Sequence, residues 1–223
     1  MSFYLTMNKN MMIGLMSNTF LNKLAFVTFI LFFYLIIACT ESHLPESSLP
    51  MVKIKTELGD IIIEIDTINA PVTAANFLNY VDDKIFNSAF FYRVVRMDNQ
   101  PSNEIKIEVI QGGLGFDESP LSLSPIAHET TDKIGILHKD GVISMARMEP
   151  GTASSEIFIC VGDQPELDFG GKRNPDGQGF AAFAKVIKGM DVVREIQSKP
   201  DKDQMLVAPV NIIEVVRILP DNN

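Results

Sequence analysis

The sequence predicts a mostly-β protein, a closed or nearly closed antiparallel barrel, on three observations. From Met51 onward the sequence is dominated by short runs of Val, Ile and Phe, the side chains that suit a half-buried pleated surface. Just two segments show helical spacing, and they lie far apart. Strands and helices do not alternate as a parallel α/β sheet requires, and no internal repeat is visible.

The elements follow in order. Val52–Thr56 and Asp60–Asp66 flank Leu58-Gly59 and predict a hairpin. Further strands are expected at Phe90–Val95, Ile105–Gln111, Val142–Arg147, Glu156–Val161 and Phe180–Ile187, with a long terminal strand at Val210–Leu219. Pro71 to Asp83 predicts a helix. Val72, Ala75, Leu78 and Val81 fall near one face, Phe77 less cleanly, and Pro71 stands at the start, where a missing N–H costs nothing. Met190 to Gln197 predicts a second helix, with Met190, Val193 and Ile196 at spacing three after Gly189. Residues 51–219 are enough to bury one core.

Composition removes several function classes. The protein has 28 acids, 19 bases and a net charge of −9, which argues against broad nucleic-acid binding. Hydrophobic residues make up 46% and charged residues 21%, the balance of a folded protein. Two cysteines give no disulfide framework and exclude a Cys-rich zinc site. His43, His128 and His138 are too scattered for a metal or triad assignment, so no metal is expected. Gln111-Gly112-Gly113 and Gly170-Gly171 are not followed by helical spacing, so they read as turns rather than phosphate loops, and no cofactor is expected.

The first 39 residues differ from the rest. They hold no Asp or Glu and just two bases, Lys9 and Lys23. Lys23 precedes an uncharged, nearly all-apolar run of 15 residues, Leu24 to Ala38. A membrane span needs about 20 such residues and a signal-peptide core about 7–15. The run ends Leu35-Ile36-Ile37-Ala38-Cys39, which resembles a bacterial lipobox. That resemblance implies a signal peptide over 1–38 and a diacylglyceryl group on the Cys39 sulfur. The alternatives are an uncleaved anchor or a buried helix. Translation from Met12 or Met16 gives a signal of more ordinary length. Residues 39–50 read as a lipidated flexible tether. Thr40 stands where the familiar retention signal is Asp, which by resemblance favours the outer membrane. Cys160, inside an apolar run, reads as a buried core thiol.

Several blocks in order resemble the cyclophilins, the peptidyl-prolyl cis–trans isomerases also called rotamases. Thr56-Glu57-Leu58-Gly59-Asp60-Ile61 and Ala70-Pro71-Val72-Thr73-Ala74-Ala75-Asn76-Phe77 resemble that family's first hairpin and helix. Phe91-Tyr92-Arg93-Val94-Val95 is similar to its Phe-His-Arg strand, and Ile110-Gln111-Gly112-Gly113 to its Gln-Gly-Gly turn. Gly141 to Arg147, Ser155 to Ile159, Glu166-Leu167-Asp168, Phe183 to Val186 and Gly189 to Val193 follow in family order. Val161 to Gly171 and Asn174 to Phe183 point to a divergent bacterial branch.

The resemblance implies a closed eight-stranded barrel capped by two helices. It implies Arg93 as the cation that donates to the prolyl nitrogen. Phe158, Leu167 and Met145 are implied as the apolar proline pocket, with plain barrel core as the alternative for each. Gln111 is implied as a partner of substrate backbone or of Arg93. Ala146 and Arg147 are implied to offer backbone groups to the peptide, and Phe180 stands at the family's pocket His or Tyr. The implied substrates are proline-containing segments of exported proteins. The implied setting is the bacterial cell envelope, facing the periplasm on a lipid anchor, as a monomer. A non-catalytic chaperone module that clasps proline segments is the alternative on the same fold.

Departures from the family pattern lie around the site. Gln111 follows Arg93 by 18 positions, roughly ten more than usual, so residues 96–106 are extra and are expected to form a lip. Glu108 and Val109 replace the family's pocket Phe and Met, and Glu156 replaces a site Gln. Acids at 108 and 156 are expected to pair with Arg93 or to favour basic peptides.

Overall fold

The computed structural model describes residues 49–115 and 123–218. The predicted signal peptide, Cys39 and most of the tether lie outside the described residues. Nine strands form among them: β1 Met51–Thr56, β2 Gly59–Ile65, β3 Phe90–Val95, β4 Val109–Gly113, β5 Val142–Met145, β6 Ile157–Cys160, β7 Ala181–Lys188, β8 Asp201–Lys202 and β9 Met205–Ile218. Their order is β1-β2-β7-β5-β6-β4-β3-β9, and β1 pairs with β9 to close the ring. Every pairing is antiparallel, so the barrel is closed, eight-stranded and without a long free edge. The two-residue β8 lies outside the ring as a hairpin on β9.

Alternation fills the interior. Val52, Ile54, Ile61, Ile63, Ile65, Ile110, Ile143, Ile159 and Phe183 turn inward and are fully buried. Helix α1, Pro71–Asp82, packs Ala74, Phe77, Leu78 and Val81 against this core. Phe77 lies 5.2 Å, centroid to centroid, from Phe183. A further helix, α2 at Thr131–Ile134, is not among the two expected; at four residues it is too short for a periodic signal. Helix α3, Met190–Gln197, buries Val193 and Ile196, at the bounds expected from its spacing.

Two strands begin four or more residues from where the sequence suggests. β4 starts at Val109 rather than Ile105. The buried Gln100 side chain occupies the Ile107 backbone, accepting from its N–H and donating to its C=O, so that stretch cannot join a ladder. β9 starts at Met205, not Val210. Pro209 hides the continuity. It falls where β3 skips from Val210 to Met205, a bulge that needs no N–H from proline.

Candidate active site

The site lies on the outer face of the barrel wall. Register sets Arg93 opposite Gln111, Gln111 opposite Phe158, and Phe158 opposite Ser144. Directly opposite residues share a face, so four strands contribute to one row. Strict alternation would put Arg93 on the same side as Phe91, which is core. A β-bulge prevents this. Phe91 pairs with Gly112 and Arg93 with Gln111, leaving Tyr92 as the extra residue. The bulge shifts the phase, so Phe91 stays inside while Arg93 faces out.

Arg93 is held from two sides by amide oxygens. Its Nη1 donates to Gln111 Oε1 at 2.8 Å. Its Nε and Nη2 both donate to Gln204 Oε1, at 3.1 and 2.5 Å. Burial pulls its pKa down from the ordinary value, but a guanidinium starts so high that it stays cationic. Gln111 is fixed in turn, because its Nε2 donates to the Tyr92 hydroxyl at 3.0 Å. Tyr92 donates to Glu156 Oε2 at 2.6 Å. Burial first, and then the Glu156 charge, push the Tyr92 phenol far above its usual range, so it stays protonated and able to donate.

This overturns the expected placement of Glu156. It is 5% exposed and points into the wall, not into the groove. Its Oε1 accepts from Leu114 N at 2.9 Å, Gly115 N at 3.1 Å and Ser155 Oγ at 3.1 Å. Gly113 makes room for it. A Cβ there would stand 2.5 Å from the carboxylate, and φ is +153°, a value that favours glycine. Glu108 precedes β4, is half-buried, and makes no hydrogen bond or ion pair with Arg93. Neither acid therefore neutralises Arg93. Glu156→Ala would remove the acceptor of the Tyr92 hydroxyl and of the Leu114 and Gly115 N–H groups. At about 1 kcal/mol or more for each, the expected loss is about 3 kcal/mol, or roughly 6–12 °C in Tm. Thermal unfolding checks this. Rate ratios for basic and acidic peptides should not change with Glu156→Gln.

Beside Arg93 an apolar patch separate from the barrel core gathers Val95, Ile107, Val109, Ala146, Phe158 and Leu167, with Phe180 packed on it. Phe158 and Phe180 meet edge to face at 5.2 Å. Phe158, Leu167 and Phe180 are thus brought together. Met145 is not with them. It is 1% exposed inside the barrel core, because it sits one residue after the outward Ser144. The Ala146 N–H is also taken, donating to Glu156 O at 2.8 Å. The Arg147 side chain is bound to Asp176 and Gly179 O and lies over the Phe180 ring at 5.1 Å. Its backbone N–H and C=O have no partner among the described residues.

Two groups near the patch have no signal in the sequence. His138 stacks on Phe158 at 5.8 Å and 17°, and its Nδ1 meets Asp168 Oδ1 at 2.7 Å. Only the fold brings these residues together. Gln204 is the other, delivered from a turn 111 positions after Arg93.

The extra segment is not a free lip. Asn99 Nδ2 donates to Val94 O at 3.0 Å and Asp201 Oδ2 at 3.1 Å, and Asn99 O accepts from Gln204 Nε2 at 3.2 Å. Arg96 pairs with Asp201 and donates to Gln197 O. Arg173 Nη1 donates to Ile105 O at 2.6 Å. The segment braces β3 against the β8–β9 hairpin and α3. Cys160 is buried, and burial pushes its thiol well up, so it is inert packing as expected. Among the described residues no three His, Cys, Asp or Glu side chains gather in a metal-binding group.

Comparison with known proteins agrees with this geometry. The family described as cyclophilin type peptidyl-prolyl cis-trans isomerase/CLD matches residues 51–217. The protein is 36% identical over 174 residues to a peptidyl-prolyl cis-trans isomerase of Acinetobacter baylyi, covering 74% of its own length and 84% of that relative. It is 34% identical over 151 residues to peptidyl-prolyl cis-trans isomerase B of Escherichia coli, covering 66% of its own length and 84% of that relative. A cyclophilin-type isomerase crystal structure from Cryptosporidium parvum shares the fold with a TM-score of 0.61 at 20% identity, covering 76% of this protein and 98% of that one. A match across nearly all the described residues, on this barrel, means that the protein belongs to the cyclophilin-type peptidyl-prolyl cis–trans isomerases and is an isomerase.

Proposed function

We propose that the protein speeds X-Pro rotation in exported proteins through Arg93, working from a lipid anchor in the bacterial envelope. The chemistry breaks no bond and moves no proton. The barrier is the partial double bond of the amide, about 18–20 kcal/mol, and uncatalysed exchange takes tens to hundreds of seconds. Twisting the amide localises the lone pair on the prolyl nitrogen. A cationic donor there is favoured mainly in the transition state, so it lowers the barrier rather than tightening ground-state binding.

One observation carries this reading: Arg93 is held by two neutral amide oxygens, with no carboxylate beside it among the described residues. Three of its five N–H groups are engaged, which leaves one on each terminal nitrogen for a substrate. Phe180, partly exposed and packed on the buried Phe158 and Leu167, offers the proline ring an apolar surface, and the Arg147 backbone suits an extended peptide. The chaperone alternative draws on acids beside Arg93 and on a lip. With Glu156 turned into the wall and the extra segment bound down, the catalytic reading is favoured.

Anchoring is tested on the full-length protein. Metabolic labelling with a fatty acid should mark the wild type and not Cys39→Ala. Equal labelling of both would overturn the anchor.

A further inference from the structure

The geometry points to Gln204 as a positioning residue that aims the Arg93 guanidinium; this rests on Arg93 being the donor. Backbone strain marks the turn that carries it. Asp203 and Gln204 form the two-residue turn between β8 and β9, with φ of +52° and +71°. Tight hairpin turns of this kind favour Asn, Asp and Gly at the central positions. A glutamine there is disfavoured, and disfavoured backbone persists where the surroundings over-determine it.

The surroundings do so at every polar atom of Gln204. Its N–H donates to Asp201 Oδ2 at 3.0 Å. Its C=O accepts from Val94 N at 2.8 Å, one residue past Arg93. Its Nε2 donates to Asn99 O at 3.2 Å. That last bond fixes which end of the amide faces Arg93: the nitrogen is turned away, so Oε1 must point at the guanidinium. There it accepts from Nε and Nη2 together.

This second anchor settles an orientation that Gln111 alone leaves open. Arginine has a long, flexible stem, and one bond at Nη1 fixes a point but not a plane. Holding Nε and Nη2 from the other side fixes the plane, and with it the direction of the two remaining N–H groups. A donor that must meet a nitrogen lone pair present only in the twisted amide depends on that direction. The extra segment and the hairpin thus belong to one device: Asn99 orients Gln204, and Gln204 orients Arg93. Gln204 acts through another residue and touches no reacting atom.

The test uses the full-length protein with Gln204→Gly, Gln204→Glu, Arg93→Ala and the double variant Arg93→Ala/Gln204→Gly. Glycine suits φ +71° and keeps the hairpin while removing the side chain. Glutamate keeps the length but adds a charge beside Arg93 and removes the donor to Asn99 O. Isomerisation of an Ala-Pro peptide is followed by magnetisation exchange, with peptide affinity measured by titration. Gln204→Gly should lower kcat roughly five- to tenfold while affinity stays within about twofold, and should have no further effect once Arg93 is absent. Gln204→Glu should lose rate as glycine does, because its carboxylate pairs with Arg93 and has no N–H to give Asn99 O. Equal losses from Gln204→Gly with and without Arg93 would overturn the positioning role while leaving Arg93 intact as the donor. So would a glutamate variant with the wild-type kcat, or a loss confined to affinity. A fully active Arg93→Ala protein would instead overturn the underlying mechanism.

Discussion

Arg93→Ala is expected to lose roughly ten- to a hundredfold in kcat/KM while its far-ultraviolet circular dichroism stays unchanged. The size follows from the bond removed. A hydrogen bond from a charged donor contributes about 1.5–3 kcal/mol, and each 1.36 kcal/mol is a factor of ten in rate. The loss should fall on kcat, because the prolyl nitrogen becomes a good acceptor only as the amide twists. Peptide affinity rests instead on Phe180, backed by the buried Phe158 and Leu167, and should change little. The fold should survive, since Arg93 faces out of the barrel and its partners are two side-chain amides that water can satisfy. Arg93→Lys should recover little, because an ammonium cannot hold Gln111 and Gln204 on opposite sides and still present donors. An Arg93→Ala protein with wild-type kcat would remove the mechanism. Lost rate together with lost peptide binding would mean that Arg93 serves affinity rather than the twist.

The parts of this site legible in the sequence are those fixed by local pattern. Alternating Val, Ile and Phe mark most strands, and the spacing of Met190, Val193 and Ile196 marks α3. The resemblance offers Gln111 substrate backbone or Arg93 as its partner, and β3 pairs with β4 so that it meets Arg93. What is not legible depends on phase and distance. The bulge at Tyr92 has no glycine or proline to announce it, yet it decides which side of the wall Arg93 takes. Met145 and Ser144 are neighbours in sequence on opposite faces, so a one-residue phase error turns core into pocket. Glu156 reads as an acid beside an arginine, but four backbone and hydroxyl donors wait for it inside the wall, and Gly113 leaves it space. Gln204 sits in an Asp-Gln turn with no hairpin signature, and only ring closure through β9 brings it to β3.

Deleting Met97–Lys106 should lower Tm by roughly 10 °C and reduce the isomerase rate, although it restores ordinary family spacing. A lip hanging over the groove would give a different result: little change in Tm and an altered peptide preference, since loop length by itself has a small entropic effect. The hydrogen bonds decide between the two. The deletion removes Asn99, which holds Val94 O, Asp201 and the Gln204 amide, and Gln100, which is 1% exposed and bonds the Arg96 and Ile107 backbone. It also takes Ile105 O away from Arg173. Six or more bonds at about 0.5–1.5 kcal/mol each, partly replaced by water, give a net loss of about 3–5 kcal/mol. At roughly 2–4 °C per kcal/mol for a domain of this size, that is the predicted shift. Rate falls for a second reason. Without Asn99 O the Gln204 amide can rotate, and Arg93 loses the acceptor that fixes its plane. The milder Asn99→Ala separates the two effects. It keeps the Asn99 backbone C=O, so it should lose stability through Val94 and Asp201 while retaining most of the rate. Differential scanning fluorimetry and magnetisation exchange on the same samples check both. A deletion variant with unchanged Tm and a shifted preference among Xaa-Pro peptides would restore the lip and refute the brace.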